Sequence, residues 1–336
     1  EIPLRLVGSE MCIRDRIKSL RRIYVMFSGV DTTTSGLVEY SQQNGNDFIY
    51  HSLLNNEKEG KGMMIVKFGT YELGSLVSYI YNFNKDPKMN FWDFKKLACV
   101  GLDFKKCLST LALNAGMFPE TLSEGIIVCE EYRKLLGDID ILASYQYSEK
   151  ALLKAMPSCR YVDLDAFYAP FKFENPWTQW LEGKKVLVVH PFVESIKKQY
   201  ETNRERLFDN PLVLPKFKSL DCIKAVQSAA GNIPEEFSSW HEALEYMKSE
   251  IAKKDFDVAL IGCGAYGMPL AAFVKSLGKV GIQLAGWTQM LFGVYGERWI
   301  SQQTQYSKFI NKYWIRPNEN ETPRKAKDIE LSLIHI

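Results

Sequence analysis

The feature that most constrains the fold of this chain is a repeated alternation of short apolar runs with amphipathic segments of helical length. The clearest run, residues 184–190 (KKVLVVH), is continuous and rich in β-branched side chains, as is typical of a strand covered on both faces. Residues 193–208 follow it with apolar side chains at helical spacing. A strand followed by a helix is therefore the expected repeating unit.

The same alternation extends over most of the chain. Strands are predicted at residues 63–68, 140–145, 161–167, 184–190, 222–226, 256–261 and 280–284. Helices are predicted directly after residue 68 and at residues 148–156, 193–208, 238–254 and 268–277. Strands that alternate with helices imply right-handed crossovers between parallel strands. The expected fold class is therefore α/β and Rossmann-like, with a mainly parallel sheet flanked by helices.

The domain organisation follows from where this alternation begins and ends. Residues 17–300 are predicted to form a single domain, with an N-terminal helical lobe at about 82–124. The polar segment 301–330 is expected to be an extended C-terminal arm that aromatic side chains near Trp314 attach to the body. Residues 1–16 and 331–336 are similar to translated sequencing-adapter sequence, so we expect them to make few contacts with the core.

Composition excludes several classes of protein. The chain has 336 residues with 42 Lys plus Arg and 40 Asp plus Glu, so its net charge of +2 creates no field that attracts nucleic acid. Glycines interrupt the uncharged stretches 258–274 and 280–296, and we expect no transmembrane segment. Seven cysteines without a C-x-x-C pair, and only four histidines, give no zinc-ligand spacing and favour a cytoplasmic location. The oligomeric state stays open.

Candidate site residues follow the predicted strands, because ligands of a parallel α/β sheet bind beyond the carboxyl ends of its strands. The candidates at these strand ends are Gly69, Thr70, Glu72, His190, Glu194, Gln227, Ser228, Gly262, Gly264, Tyr266, Gly267, Thr288 and Gln289. If the fold is right, all of them share one edge of the sheet.

Residues 262–267 (GCGAYG) have the G-x-G-x-x-G spacing between a strand and a helix. Glycines there permit a tight turn and let backbone N–H groups approach a phosphate. A dinucleotide site also requires an acidic residue about 20 positions further on. The next strand ends in Ala285 and Gly286, and only Asp163 or Asp165 could replace the missing acid. A nucleotide or phosphate turn of another kind is expected, and a packing turn without a ligand is the alternative.

Four charged or titratable candidates each have two interpretations. Glu72, in the first turn of a helix, is either an acid placed in the helix dipole or a catalytic base or metal ligand. His190 either orients a phosphate or carboxylate or has a structural role. Arg204 lies beside an apolar stripe, so it needs a carboxylate partner or a bound phosphate. Arg298 either reaches a diphosphate or is solvated.

Several segments resemble one protein family. They are residues 186–192 (VLVVHPF), 224–231 (KAVQSAAG), 257–279 and 291–299 (LFGVYGERW), and they resemble bacterial glycosyltransferase-like proteins with the glycosyltransferase-D (GT-D) fold. The resemblance extends over about residues 63–330. It implies transfer of a sugar from a nucleotide-sugar donor to a hydroxyl acceptor in cell-surface glycan biosynthesis. It also implies a D-x-E motif that holds a divalent metal and the nucleotide diphosphate.

In this chain the motif falls on Thr70-Tyr71-Glu72, so Glu72 matches while Thr70 stands in place of the Asp. A hydroxyl is a weaker ligand for a hard cation than a carboxylate, and the requirement for Mg²⁺ or Mn²⁺ is therefore left open. The expected catalytic residues are Glu72, His190 and Glu194, and the remaining strand-end candidates, with Arg204 and Arg298, are expected to bind the nucleotide. A catalytically inactive nucleotide-binding member of the family, or another Rossmann-type nucleotide- or S-adenosylmethionine-dependent enzyme, is the alternative.

Overall fold

The structure is a computed structural model that describes residues 23, 26, 27, 34–83 and 103–322. The predicted terminal segments 1–16 and 331–336 lie outside the described residues, as do residues 84–102 of the predicted lobe. Within the described ranges no helix combines the length and the apolar character that crossing a bilayer needs.

A seven-stranded, all-parallel sheet organises the described chain. Its strands are β1 (Met63–Val66), β2 (Ile141–Ser144), β3 (Arg160–Asp163), β4 (Lys185–His190), β5 (Ser219–Lys224), β6 (Val258–Ile261) and β7 (Val280–Gln283). They lie side by side in the order β3-β2-β1-β7-β6-β4-β5. The α/β, Rossmann-like fold class expected from the sequence is confirmed.

Helices cover both faces of this sheet. They are α1 (Gln42–Glu59), α2 (Thr70–Asn82), α3 (Phe104–Ala115), α4 (Leu122–Lys134), α5 (Leu164–Tyr168), α6 (Val193–Asn203), α7 (Trp240–Ala252), α8 (Gly267–Ser276), α9 (Trp287–Leu291) and α10 (Glu297–Ser301). The first face packs against α2, α3, α4, α7 and α8, and the second against α1, α5, α6, α9 and α10. The described part of the predicted lobe is thus α3 and the start of α4, which pack beside α2 on the first face.

The two faces are both apolar because successive side chains of a strand point to opposite sides. In β4, Leu187 and Val189 belong to the core of the first face, whereas Val186 and Val188 belong to the core of the second. All four side chains are at most 1% exposed. This two-sided burial explains why the strand is a continuous apolar run in the sequence.

The structure corrects the boundaries of three predicted elements. The strand predicted at 161–167 ends at Asp163, because its carboxylate accepts hydrogen bonds from the amides of Asp165 (2.8 Å) and Ala166 (3.2 Å) and so begins α5. The helix predicted at 193–208 is α-helical only to Asn203 and continues as the 3₁₀ turn Arg204–Arg206. The helix predicted at 148–156 is the 3₁₀ helix Tyr147–Ala155.

Two crevices open at the carboxyl edge of the sheet. β4 leads outward to β5 through α6 on the second face, whereas its neighbour β6 leads inward to β7 through α8 on the first face. The strand order therefore reverses between β4 and β6, where parallel sheets bind ligands. A second crevice lies between β1 and β7, because α2 and α9 follow them on opposite faces.

The C-terminal arm predicted from the sequence packs back on the second face. Trp314 is 5% exposed and donates from Nε1 to the carbonyl of Leu207 (2.9 Å). Further along, Glu321 accepts from the amides of Glu194 (2.7 Å) and Ser195 (3.1 Å) at the start of α6. The arm is thus attached at both the aromatic cluster and the first turn of α6.

Candidate functional site

The crevice between β1 and β7 contains an open cleft lined by charged side chains, which we call the charged cleft. Lys67 directly follows β1, Glu72 lies in the first turn of α2, and Arg298 belongs to α10. Tyr145, which follows β2, closes one side. The space in this cleft, including the part that is open to solvent, is about 1050 Å³. Two cations and one carboxylate thus face one concave surface.

Lys67 is the most unusual group of the charged cleft. Its residue is 8% exposed, and among the described residues no carboxylate lies within 4.0 Å of its Nζ. Its Nζ instead lies 5.9 Å from the ring centroid of Tyr168. Burial lowers the pKa of Lys67 to about 8, although the negative charge of Glu72 opposes that shift. Burial of an ammonium without a close counter-ion is unfavourable, and either loss of its proton or binding of an anion relieves this cost.

Glu72 occupies the same cleft because a glycine makes room for it. The side chain folds back over Gly69, and a Cβ atom at Gly69 would overlap the Glu72 carboxylate. Glu72 is 8% exposed. Beside it, the Tyr145 hydroxyl donates to the carbonyl of Phe68 (3.0 Å) and lies 3.3 Å from the Thr70 hydroxyl oxygen. The carboxylate is therefore held near the cations at the start of α2.

The donors around Glu72 do not fit a site for Mg²⁺ or Mn²⁺. A hard divalent cation needs several oxygen ligands, preferably carboxylates. Here one carboxylate and the exposed Thr70 hydroxyl face Lys67 and Arg298, whose positive charges repel a further cation. In the part of the chain that the structure describes, no group of three or more His, Cys, Asp or Glu side chains could hold a metal ion.

The crevice between β4 and β6 contains a second site, which we call the neutral cavity. His190 ends β4, Gln289 lies in α9, and Ser228 and Tyr266 also line the site. The space at this site, including the part that is open to solvent, is about 610 Å³. Every side chain that lines it among the described residues is uncharged, and burial lowers the pKa of His190 to about 3. The imidazole is therefore neutral at physiological pH.

The glycine turn predicted to cradle a phosphate is packed against the protein itself. A Cβ at Gly262 would collide with the Ala285 carbonyl, and one at Gly264, whose φ is +57°, would lie 2.7 Å from the Ala115 carbonyl oxygen. The amides of Gly262 and Gly267 donate to carbonyls of the chain, those of Val189 and Gly264. The interpretation as a packing turn therefore accounts for these glycines without a ligand.

Charged cleft and neutral cavity adjoin each other along the sheet edge. Asn114, Ala115 and Gly264 line both, so they form a shared wall. The strands β7 and β6 separate the two crevices, which places their centres about 10 Å apart at two strand spacings. Glu72 and the glycine turn are thus brought to one edge, as the sequence predicts.

Most of the predicted site residues lie at this edge. The charged cleft is lined by Gly69, Thr70, Glu72 and Arg298, Gly264 lines both sites, and the neutral cavity is lined by His190, Gln227, Ser228, Gly262, Tyr266 and Gln289. The side chain of Thr288 is fully buried, and the place of a Gly262 Cβ would be 2.7 Å from its hydroxyl oxygen. Gly267 packs against Gln283.

Two predicted residues are not brought to either site. Arg204 lies beyond α6, and this 11-residue helix runs about 16 Å back from the carboxyl edge. Its guanidinium donates to Glu205 (2.5 Å) and to the Leu214 carbonyl (3.4 Å), so the structural ion pair is the interpretation that the geometry favours. Glu194 is exposed and accepts from Asn320 of the arm (3.0 Å).

The acids that a dinucleotide site would require are engaged elsewhere. Asp163 begins α5, and Asp165 binds Lys172 (2.5 Å) and the Tyr306 hydroxyl (2.5 Å). Asp163 ends β3 and Asp165 follows it, and β3 is the strand at the edge of the sheet, four places from β6 in the strand order. They are therefore remote from the glycine turn.

Sequence reasoning missed Lys67, Tyr145 and Glu149. Glu149 is fully buried, and burial raises its pKa to about 7 although it accepts from the Gln146 amide (3.0 Å). It supports the loop that carries Tyr145, whose amide it also binds (3.2 Å). For Lys67 the sequence did contain a signal. It is the single charged residue of the apolar run 63–68 (MMIVKF), at the carboxyl end of the strand.

Comparisons of this chain with known protein-family models, with curated proteins and with solved structures give no match. Its function is therefore inferred from the charged cleft and the neutral cavity.

Proposed function

We propose that this protein is a glycosyltransferase that moves a sugar from a nucleotide-sugar donor to a hydroxyl acceptor in cell-surface glycan biosynthesis. The observation that carries the proposal is Lys67, a buried ammonium in an open cleft without a carboxylate within 4.0 Å among the described residues. A bound anion would offset the unfavourable burial of this charge.

A diphosphate fits the charged cleft better than a single carboxylate does. Arg298 lines the same cleft, and its charge and that of Lys67 act on each other, which contributes to the lowered pKa of Lys67. A diphosphate carries more than one negative charge, so it can attract both cations at once and offset their mutual repulsion more than a single carboxylate does. With its amide oriented so that the oxygen faces the guanidinium, Gln303 accepts from Arg298 (2.7 Å).

The chemistry assigns one role to each group. The bond between the anomeric carbon and the diphosphate oxygen breaks, and the oxygen keeps the electron pair. Lys67 and Arg298 stabilise the negative charge that develops there. The acceptor oxygen forms the new bond to the anomeric carbon, and its proton moves to the Glu72 carboxylate. The neutral cavity is then the place for the rest of the donor nucleotide.

The same arrangement supports nucleotide binding without transfer, so the inactive family member is the second candidate. It shares the cations of the charged cleft but makes no use of Glu72 as a base. A cytoplasmic location belongs to the proposal for both candidates, and the free thiols of the five described cysteines support it.

Calorimetric titration of the full chain with UDP, GDP, CDP and ADP tests the proposal, with and without Mg²⁺ or Mn²⁺. We expect at least one nucleoside diphosphate to bind in the absence of metal, because Lys67 and Arg298 supply the positive charge. Turnover of the corresponding nucleotide-sugar then distinguishes the transferase from the inactive protein. If none of these nucleotides binds under any condition, the proposal is wrong.

A further inference from the structure

The neutral cavity presents two polar atoms whose hydrogen-bonding roles are fixed by the surrounding chain. His190 accepts a hydrogen bond at Nδ1 from the amide of Phe192 (3.0 Å). Because this imidazole is neutral, its proton resides on Nε2, which therefore can only donate. No described residue accepts from that nitrogen.

Gln289 supplies the complementary role. The side chain is fully buried, and its Nε2 donates to the carbonyl of Val294 (3.3 Å). This contact orients the amide, so that Oε1 can only accept. Among the described residues Oε1 has no hydrogen-bond partner. A buried carbonyl without a donor is unfavourable, and a ligand that donates to it would remove that penalty.

The remaining surroundings favour a flat, uncharged ligand. Phe192 and Val226 add apolar surface to the wall that Ala115 shares with the charged cleft. Tyr266 is held in a fixed position by stacking on Trp240, with 5.3 Å between the ring centroids, and by its contact with the Ser228 hydroxyl (3.0 Å). None of the lining side chains in the described part of the chain offers a charge to an ionic group.

The position of the cavity relative to the charged cleft gives the third constraint. Its centre is about 10 Å along the sheet edge from the crevice that holds Lys67. A ribose and one phosphate bridge a distance of that order between a nucleobase and a terminal phosphate. The shared wall of Asn114, Ala115 and Gly264 runs between the two sites, where such a linker would lie.

We propose that the neutral cavity binds the nucleobase of the donor, with His190 Nε2–H donating to a ring carbonyl or ring nitrogen. The Gln289 side chain, whose Oε1 is sealed from solvent in this structure, then shifts so that this oxygen accepts from a neighbouring N–H of the base. This inference rests on the proposed function, because it assumes that the diphosphate of the same molecule lies in the charged cleft. It assigns base recognition to one crevice and phosphate recognition to the other.

Two variants test the base site. Gln289→Met removes the unpaired acceptor with little change in side-chain length. His190→Asn keeps an acceptor near the position of Nδ1 for the Phe192 amide but removes the Nε2–H donor. Thermal unfolding of both full-length variants is measured first. Gln289→Met removes an unsatisfied buried carbonyl but also the 3.3 Å hydrogen bond to the Val294 carbonyl. These two changes offset each other, so the melting temperature should stay close to that of the unmodified chain.

Calorimetry then compares UDP, CDP, GDP and ADP with inorganic pyrophosphate, which has no base. Each variant should weaken the binding of the preferred nucleoside diphosphate by about 3- to 10-fold, which is typical of one lost neutral hydrogen bond. Pyrophosphate affinity should not change. Lys67→Met, in contrast, should weaken both nucleotide and pyrophosphate.

The outcomes separate this inference from the proposed function. If both variants bind the nucleotide as tightly as the unmodified chain while Lys67→Met does not, the base site is wrong and the diphosphate site stands. If the unmodified chain binds neither pyrophosphate nor any nucleotide, the proposed function fails. Uridine, cytidine, guanosine and adenosine are then tested by saturation-transfer NMR, and absence of transfer to every base overturns the base site as well.

Discussion

The two crevices of this sheet are built from the same kind of strand ends but differ in their electrostatics. The charged cleft combines Lys67, Glu72 and Arg298 in an open space, whereas the described side chains that line the neutral cavity carry no charge. Burial acts on both, lowering the pKa of Lys67 to about 8 and that of His190 to about 3. Near pH 7 the lysine therefore keeps its proton and the histidine does not.

This difference indicates that the two sites at this edge of the sheet suit different parts of one ligand. Charge at the central crevice suits an anion and the proton transfer that accompanies its departure. Neutral polar atoms at the outer crevice suit selection of an uncharged ring. If this assignment is correct, variants of the charged cleft should change turnover and phosphate affinity, and variants of the neutral cavity should change base affinity alone.

The largest effect is expected for Glu72→Gln, which removes the proton acceptor but keeps the shape of the side chain. Loss of a general base lowers the turnover number by about 10²- to 10⁴-fold. Nucleotide affinity should stay the same or rise, because one negative charge near the diphosphate is gone. Steady-state kinetics with the preferred nucleotide-sugar, together with calorimetry, measures both quantities.

Glu124→Gln is the matched control for this variant. Glu124 lies in the first turn of α4 and is 6% exposed, but its Oε1 binds the His241 amide (3.0 Å) away from the charged cleft. The Glu124→Gln substitution should lower the free energy of unfolding slightly and leave the turnover number unchanged. Equal, measurable turnover in Glu72→Gln and the unmodified chain would show that Glu72 is not the base. Absence of turnover in both would favour the inactive, nucleotide-binding protein.

The next largest effect is expected for a substitution in the tightly packed glycine turn between the two sites, and it concerns the free energy of unfolding. Gly262→Ala should lower the free energy of unfolding by about 1–3 kcal/mol, because its Cβ has no room between Ala285 and His190. Gly183→Ala, at φ +69° with no atom within 4 Å of its Cβ, should lower it by about 1 kcal/mol through backbone strain alone. Urea unfolding compares them. A neutral effect at Gly262 would show that the turn has space for a ligand.

The smallest effect concerns the pH dependence of the neutral cavity. The pKa of His190 is about 3 in the folded chain and near 6.5 in the unfolded chain, so between these values the unfolded chain binds the extra proton. Stability is fully present above pH 6.5 and falls below it, by about 1.4 kcal/mol per pH unit from this group.

His190→Asn should therefore show a shallower loss of stability between pH 6.5 and pH 5 in urea unfolding. His51→Asn, on the exposed face of α1, is the control and should follow the unmodified chain. A loss as steep in His190→Asn as in the unmodified chain would mean that His190 is not held neutral by burial.

The sheet and the location of the site at its carboxyl edge could be predicted from the sequence, because each buried strand leaves a local apolar signal. The helix α1 could not be predicted from the sequence. It buries Asn46, which binds the carbonyl of Asn175 (2.8 Å) and the amide of Trp177 (2.7 Å), so its buried face is partly polar. The backbone groups that form hydrogen bonds with Asn46 belong to a segment more than a hundred residues away in the sequence.

Within the candidate site, the sequence identifies residues that follow strands but not the directions of their side chains. Arg204 was placed at the site because its neighbours form an apolar stripe, yet the length of α6 carries it to the opposite edge. Lys67 was passed over as part of a strand, although the same position lets its ammonium enter the cleft. Pairing of β1 with β7, which forms that cleft, has no local signature.

The most direct test of the charged cleft is calorimetric titration of inorganic pyrophosphate into Lys67→Met and Lys184→Met at pH 7. Lys184 is a matched lysine at the amino edge of the sheet, 18% exposed and paired with Glu57 (2.5 Å). We predict that Lys67→Met weakens pyrophosphate binding by about 10- to 100-fold, as for loss of a charged hydrogen bond. Lys184→Met should bind like the unmodified chain. Equal affinity in Lys67→Met and the unmodified chain would contradict the assignment of this cleft as the phosphate site.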